Sequence, residues 1–402
     1  MIAVDPLLEP DHFFFGAPWA IVLLKVVISF AALMVAVMLM VWFERKVHAD
    51  FSNRLGPRVA GPFGLLQTLA DGIKLFFKTD LLPANADPFV FRLAPYLSLI
   101  PAFLVFVVIP IGGDFTNGGH GVVTIAGHKT LMQVADPQIG ILFVLAMSSL
   151  AVYGIMLAGW SSGSKYPLLG SVRASAQMIS YEAALGLSLL CVLLNSGSLS
   201  TNQIVFSQAN WNWNIWATGV VPFVIFLIAG TAETNRPPFD LVEAEQELVG
   251  GFHTEYSSIR FALFFLAEFM NVVTMSAILV TLFLGGPIGP SFGLTGWVAV
   301  YLLPFAWFFL KVLLLLFVFV LFRTTLPRLR YDQLMDLGWK LLIPLALAWF
   351  LLLVSLKVAK DEGWNQLLVG AIGFVSIFVG AALLIGSIRT AQSRRLDQKV
   401  GA

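Results

Sequence analysis

Acidic side chains are concentrated in one short segment, residues 230–257, which reads GTAETNRPPFDLVEAEQELVGGFHTEYS. Carboxylates so closely spaced repel one another and burial disfavours their charged form, so we expect some to stay protonated near neutral pH. A coupled group of this kind takes up or releases protons when a nearby charge changes. The segment therefore predicts a proton relay. Its carboxylates are Glu233, Asp240, Glu243, Glu245, Glu247 and Glu255.

A solvated acidic loop would explain the same charges without any chemistry. Two triplets favour a folded segment instead, because Pro237-Pro238-Phe239 and Gly250-Gly251-Phe252 place turn-forming and apolar residues among the carboxylates. The segment also joins two long apolar runs, which hold both of its ends at the edge of a membrane.

Two further carboxylates, Glu182 and Glu268, lie inside long apolar runs. An ionised carboxylate in the middle of a membrane helix costs roughly 2.5–3.5 kcal/mol on insertion scales, so such residues usually face a polar interior. We predict that both belong to the proton relay, although a neutral, hydrogen-bonded carboxyl that only serves packing would fit the same pattern. Lys25 and Lys311 also lie in apolar runs, and Lys25 can extend its ammonium toward the membrane surface.

The composition requires a membrane to surround these charges. Of 402 residues, 58% are hydrophobic and 12% are charged, and the mean hydropathy is +0.86. A soluble domain carries about 25% charged residues to cover its surface, so most of this surface must face lipid. The net charge of +1 excludes nucleic-acid binding, which needs a basic face.

A redox centre within this chain is not expected. Cys191 is the single cysteine, and one thiol can neither hold an iron–sulfur cluster nor form an internal disulfide. The five histidines are scattered, and His253 near Glu255 is too weak a pattern to predict a metal site. No glycine-rich dinucleotide fingerprint, phosphate-binding loop or nucleophile elbow is present.

About nine apolar runs are long enough to cross a bilayer, which takes about 20 residues per helix. We therefore predict an all-α polytopic membrane protein, a single membrane domain over residues 1–402, in which the fifth run is the shortest. The runs cover residues 17–43, 91–112, 138–160, 176–195, 215–232, 259–284, 300–322, 339–357 and 365–388.

The distribution of Lys and Arg predicts the orientation. They accumulate in the connections after runs one, three, five and seven and in the tail after run nine, and these segments should face the cytoplasm. Residues 1–16 carry no basic residue, so we expect an external N-terminus, an uncleaved first run and a cytoplasmic C-terminus. Residues 61–78 combine apolar positions at helical spacing with polar interruptions, which predicts an amphipathic helix at the membrane interface or, alternatively, on the protein surface.

Four stretches together resemble one protein family. The run AETNRPPFD, followed by E-x-E-x-E-L-V-x-G-F and then EY, is similar to the signature of subunit 1 of respiratory complex I, which is the H subunit of the bacterial enzyme. The other stretches are ERK at 44–46 with R-x-G-P and GPFGLLQ…ADGIKLFFK at 54–78, GWSSGSKYPLLGSVRASAQMISYE at 159–182, and LPRLRYDQLMDLGWK at 326–340. They occur in family order within residues 17–357.

The resemblance implies a subunit of a proton-pumping NADH:quinone oxidoreductase that forms much of the quinone-access chamber, with quinone as substrate. It implies that flavin and iron–sulfur clusters reside in partners, namely peripheral quinone-module subunits with the terminal cluster, alongside small membrane subunits and lipid. It implies a bacterial inner (plasma) membrane or an equivalent energy-transducing membrane, and it adds Asp71 to the relay. The residues implied to border the quinone chamber are Arg45, Lys46, Arg54, Arg58, Phe239, Glu255 and Tyr256.

Two departures from the family pattern limit which of the family's roles can be assigned to residues of this chain. The family commonly has Gly-Pro-Asn-Arg after the first span, whereas this chain has Gly56-Pro57-Arg58-Val59, which places the role of Arg58 in doubt. The family usually has eight spans, so residues 358–402 form an extension with a ninth span and a basic tail. Alternatives are the homologous subunit of a membrane-bound hydrogenase or another donor:quinone oxidoreductase, a stand-alone cation/proton antiporter, or a purely structural anchor for a peripheral enzyme.

Overall fold

A computed structural model describes residues 17–115, 119–242, 245–293 and 296–400. Among these residues, eight helices are long and apolar enough to cross a membrane, and the only strands form one short hairpin. The predicted all-α polytopic fold is therefore confirmed. The helices are α1 (Ala17–Phe51), α2 (Gln67–Phe77), α3 (Pro88–Phe106), α4 (Gly140–Ser161), α5 (Lys165–Ser196), α6 (Thr201–Ser207), α7 (Asn214–Ala217), α8 (Val220–Glu233), α9 (Glu245–Leu248), α10 (Ser258–Phe283), α11 (Leu303–Thr325), α12 (Tyr331–Leu337), α13 (Ile343–Asp361) and α14 (Gln366–Val400).

The fifth predicted span corresponds to α8, which is much shorter than the other spans. Its 14 residues rise about 21 Å, short of the roughly 30 Å of a bilayer core. Gly219 precedes it with a φ of 81°, and α7 lies just before that turn. As a result Glu233, at the end of α8, is placed inside the bundle rather than beyond it, and it is 7% exposed.

The helix ends define two sides of the bundle. We call the side with the connection 232–257 the acidic-loop side, and the opposite side the hairpin side. The hairpin, β1 (Val122–Ile125) and β2 (His128–Leu131), pairs antiparallel and lies in the connection between α3 and α4. Lys25 in α1 donates to Thr130 in β2, and the Tyr301 hydroxyl donates to the carbonyl of Thr124 at 2.6 Å.

The tightest packing joins α3, α4, α5, α8 and α10. Glycine permits the close approach of α3 and α4: an added Cβ at Gly154 would lie 2.6 Å from the backbone nitrogen of Ser98. Small residues at such crossings are typical of membrane bundles, because lipid provides no hydrophobic force between helices and packing must do so. Tyr181 in α5 is fully buried and donates to the carbonyl of Leu334 at 2.8 Å, which ties α12 to this core.

The interfacial segment differs from the predicted helix 61–78. The regular helix α2 covers only residues 67–77, because a one-turn 3₁₀ helix with Phe63 at a φ of 54° precedes it. No residue of α2 is buried, and Phe76 and Phe77 are 69% and 84% exposed. The Thr68 hydroxyl donates to the carbonyl of Met38 at 3.2 Å, which attaches α2 to α1.

The α3–α4 crossing yields a stability prediction. We expect Gly154→Ala to destabilise the protein by about 1–3 kcal/mol, because the added methyl group overpacks against the α3 backbone. Gly186→Ala in α5 is the matched control, since its added Cβ would meet nothing within 4 Å. Thermal unfolding of the detergent-solubilised chains compares the two. Equal unfolding temperatures would contradict the close contact.

Candidate functional site

A group of four charged side chains, of which Glu44 and Arg236 are buried, lies where α1, α8, α10 and α11 meet near the acidic-loop side. We call it the charged core: Glu44, Arg236, Glu268 and Arg323. Arg236 contacts Glu44 through Nη1 at 3.1 Å and Glu268 through Nε at 3.0 Å. Arg323 also pairs with Glu44. The two guanidinium groups and two carboxylates balance in formal charge.

Burial explains why the charged core has this composition. Glu44 and Arg236 are 4% and 8% exposed, and ions so far from water are tolerated only with partners of opposite charge. The Arg236 guanidinium also lies 4.0 Å from the ring centre of Phe269, a cation–π contact that strengthens when water is excluded. The planar fork of Arg236 thus holds α1 and α10 at a fixed separation.

Two adjoining cavities extend from the charged core into the bundle. We call the first of them the upper cavity. It has a volume of about 50 Å³, and its wall includes Glu233, Glu268, Asn271, Ser98 and His253. The lower cavity, about 30 Å³, is lined among others by Ser148 and Thr274, and it shares Glu233 and Asn271 with the upper one. The walls are mainly apolar, with a few polar side chains along α10.

Three of the predicted relay carboxyls gather around these cavities. Glu233 and Glu268 line the upper one. Glu182 in α5 accepts a hydrogen bond from the Ser149 hydroxyl of α4, and it lies close enough to Glu233 for their charges to repel. Glu233 of α8 thus shares a cavity wall with Glu268 of α10 and lies near Glu182 of α5.

Three further relay candidates lie closer to the acidic-loop surface, each in an ion pair. Asp240 contacts Arg328 at 2.8 Å, Glu247 contacts Arg173 at 2.7 Å, and Asp71 contacts Arg45 at 2.6 Å. These pairs attach the acidic connection to α5 and to the segment after α11, and α2 to α1. Glu243 and the side chain of Glu245 lie outside the described residues.

The residues implied to border a quinone chamber fall into two environments. Arg45, Arg54 and Arg58 are exposed or half-exposed at the acidic-loop side, and Lys46 and Glu255 are half-buried. Phe239 and Tyr256 are buried, each about 5% exposed. Phe239 packs against Tyr181 with ring centres 5.6 Å apart, and Tyr256 stacks on Phe91 at 4.0 Å.

The cavity mouth carries a neutral histidine. Burial lowers the pKa of His253 to about 4, so its imidazole is uncharged near pH 7. Phe252 and Phe261 contact its ring edge-on, with ring centres 5.0 and 5.3 Å away. Burial also raises the pKa of Tyr256 to about 12, so its hydroxyl stays protonated and donates to the carbonyl of Phe91 at 3.1 Å.

Sequence reasoning missed several members of this site. From the sequence, Glu44 was recognised only as part of the ERK motif at 44–46. Arg323 and Arg328 were recognised only as basic residues that indicate the orientation of the chain in the membrane. Asn271 and Thr274 went unnoticed, yet Glu268, Asn271 and Thr274 follow one another at three-residue spacing, which places them along one stripe of α10. That polar stripe on an apolar helix was the available signal.

No group of three or more His, Cys, Asp or Glu side chains within the described ranges is arranged to hold a metal ion. Comparison with known proteins then decides the family. The family model described as NADH dehydrogenase matches residues 24–354. This chain belongs to that family.

Curated members of the family resemble the chain over nearly its whole length. The H subunit of the NADH-quinone oxidoreductase of Frankia alni is 51% identical over 385 residues, which cover 94% of this chain and 82% of the relative. The H subunits of the same enzyme from Frankia casuarinae and Streptomyces avermitilis are 49% and 47% identical, covering 94% of this chain and 82% and 81% of their own lengths. The family resemblance drawn from the four motifs is confirmed.

The charged core predicts a large effect of removing its central cation. We expect Arg236→Ala to destabilise the chain by about 3–5 kcal/mol, because Glu44, which is 4% exposed, and Glu268 both lose an ion-pair partner. Lys340→Ala serves as the control, since Lys340 pairs with Asp336 at the surface, where a pair of this spacing contributes about 0.3–0.5 kcal/mol. Equilibrium unfolding in mixed micelles measures both, and similar losses would refute the buried network.

Proposed function

We propose that this chain is the membrane H subunit of a proton-translocating NADH:quinone oxidoreductase, in which it forms much of the quinone-access chamber and an acidic proton relay. One observation carries the proposal above the others. The charged core at the acidic-loop side adjoins two cavities through Glu268, and Glu233, which lines both cavities, lies near Glu182. Such an arrangement suits the transfer of an electrostatic signal into the membrane.

Quinone enters from the lipid between α1, α2 and α10. Helix α2 lies beside the other two, and its exposed phenylalanines suit contact with acyl chains and with an isoprenoid tail. Reduction of the head group consumes two electrons and two protons per quinone to give quinol. A partner's iron–sulfur cluster supplies the electrons, and flavin resides in another partner.

Coupling is electrostatic. A negative charge on the reduced head group, placed about 8 Å from a carboxyl, changes the free energy of its ionisation by roughly 2 kcal/mol at an effective dielectric constant of about 20. Arg236 and Arg323 both pair with Glu44, so a charge that displaces either guanidinium group also changes the surroundings of Glu44. Glu268 and Glu233 then take up protons, and Glu182 responds in turn.

The orientation, domain boundaries and partners follow from the same proposal. The acidic-loop side faces the cytoplasm of a bacterial cell, or the equivalent compartment of another energy-transducing membrane, and binds the peripheral quinone-module subunits. The basic Arg54 and Arg58 and the ion-paired Glu247 are available for that contact. Residues 17–357 form the core, and 358–402 an extension that contacts lipid and small membrane subunits.

The alternative of a stand-alone antiporter drew support from the intramembrane Lys311, and the contacts of this residue weaken that support. The Lys311 ammonium donates to three backbone carbonyls, those of Leu284, Gly286 and Ile288, at 2.6, 3.0 and 2.6 Å. Three donated bonds use every hydrogen of the ammonium group, so Lys311 caps the end of α10. The three contacts thus give Lys311 a structural role at the end of α10.

The relay assignment predicts the behaviour of charge-removing variants. Glu182→Gln and Glu268→Gln each keep the side-chain shape but cannot ionise, so we expect lower proton pumping and lower coupled turnover with normal assembly. Proton uptake and NADH-dependent quinone reduction by the purified complex in proteoliposomes measure this. Wild-type pumping in both variants would remove the two residues from the relay.

The chamber assignment predicts where a quinone can be trapped. A photoreactive quinone added to the intact complex should label peptides within residues 44–78 and 232–257. An excess of unlabelled quinone should prevent the labelling, which serves as the control for specificity. Labelling confined to other segments would instead favour a structural anchor, and cation transport by the purified chain alone would favour an antiporter.

A further inference from the structure

A groove runs along the edge of the bundle between α13 and α14. Its volume is about 600 Å³, which is within the range of small-molecule sites and more than ten times that of the upper cavity. Its polar lining residues are Lys340, Ser355 and Ser376, and the others are apolar side chains or glycine. None of these described residues lines either cavity beside the charged core, so the groove is a separate feature.

Small residues of α14 keep the groove open. They are Gly373, Ser376, Gly380 and Ala381, and they form much of its α14 wall. Beside the groove the two helices are in contact, because Phe374 meets Trp349 edge-on. The apolar part of α14, residues 366–383, is unburied and long enough to cross a bilayer, so the groove opens toward lipid.

The length of the groove fits one acyl chain better than a partner helix. Its lining covers about 16 Å of α13, from Pro344 to Ser355, and about 18 Å of α14, from Val369 to Ala381. A lipid chain of one leaflet extends through about half of the roughly 30 Å hydrocarbon core, whereas a transmembrane helix of a partner extends through all of it. The dimensions therefore favour an acyl chain as the occupant.

One end of the groove lies on the acidic-loop side, where Lys340 lines it. Lys340 precedes α13, and the preceding helix α12 follows the contact between Arg328 and Asp240, which defines this side. The Lys340 ammonium contacts Asp336 at 2.6 Å, and because it has three hydrogens it retains donors for a phosphate group. The neighbouring Trp339 has an exposed ring, and exposed Trp and Lys side chains are common anchors at the membrane interface.

The excess positive charge at this end comes from the sequence of α14. The helix has 35 residues and is about 52 Å long, which exceeds the roughly 40–45 Å of a bilayer with its head groups. It returns antiparallel to α13, so its last residues and Lys340 are on the same side. The sequence after residue 383 contains four basic residues and one acidic residue, namely Arg389, Arg394, Arg395, Lys399 and Asp397. Basic residues just beyond a membrane helix attract anionic lipid.

We propose that the groove binds an anionic phospholipid, with one acyl chain between α13 and α14 and its phosphate at Lys340 and the basic end of α14. This inference rests on the lipid contact proposed above for residues 358–402 and makes it specific, but it does not depend on the proton relay. The match to the family model ends at residue 354, so the α14 wall of the groove lies outside the part of the chain that the family model covers.

Photolabelling of the purified, reconstituted complex tests this site. Two phospholipid probes carry the same photoreactive acyl chain, one with an anionic phosphatidylglycerol head and one with a zwitterionic phosphatidylcholine head. We expect the anionic probe to label peptides within residues 340–355 and 369–381 about fivefold more strongly, the factor expected for one charge near a membrane surface. Unlabelled phosphatidylglycerol in excess should suppress this labelling. Equal labelling by the two probes would overturn the proposal.

Matched variants test the apolar and the charged part of the site. Ala381→Phe fills the groove and should reduce labelling by the anionic probe to the level of the zwitterionic one. Ala382→Phe makes the same change at an exposed position outside the lining, so we expect wild-type labelling. Lys340→Gln should remove most of the preference for phosphatidylglycerol. Lys360→Gln, exposed near the opposite end of α13, should retain it. Thermal unfolding of each variant verifies that it is folded.

A second measurement identifies any other occupant. A photocrosslinking amino acid in place of Ile377, which lines the groove, should capture lipid in the intact complex. Capture of another subunit or of a second copy of this chain would overturn the lipid site, as would undiminished labelling in folded Ala381→Phe. The relay is tested separately, because labelling is measured without turnover. Normal pumping by Glu182→Gln and Glu268→Gln would refute the relay and leave the labelling result in force.

Discussion

The ion pairs of Arg236 are the interaction on which the rest of the arrangement depends. Glu44 and Arg236 are buried away from bulk water, so each charge requires a partner held at a fixed distance. Because those partners come from different helices, the pairing sets where α1, α8 and α10 meet. The cavities lie beside this junction, and their shape follows from it.

The short helix α8 makes this junction possible. A full-length span would carry its terminal residues out to the membrane surface, where Glu233 and Arg236 would be hydrated. Since α8 rises only about 21 Å, the chain continues within the bundle with these two charges still inside it. The acidic connection that follows is consequently part of the interior at its start and part of the surface at Glu247.

Sequence alone predicted the class of fold and the carboxyls of the interior, because both leave local signals. Long apolar runs, and an acidic residue within such a run, as at Glu182 or Glu268, can be recognised from the sequence without knowing which residues contact them in the fold. The partners of those acids were not predictable, since Glu44 and Arg236 are far apart in the chain and only tertiary packing joins them. The shortened α2 was missed because hydropathy does not reveal a kink at Phe63.

The last helix has a different relation to the bundle. The family model ends at residue 354, before α14 begins, and the apolar part of α14 is unburied over residues 366–383. Its packing partner is α13, where Phe374 meets Trp349 edge-on with ring centres 5.7 Å apart. Because α14 packs on α13 at the edge of the bundle, it contributes no residue to the cavity walls beside the interior charges. It also offers a natural attachment point for a fused reporter.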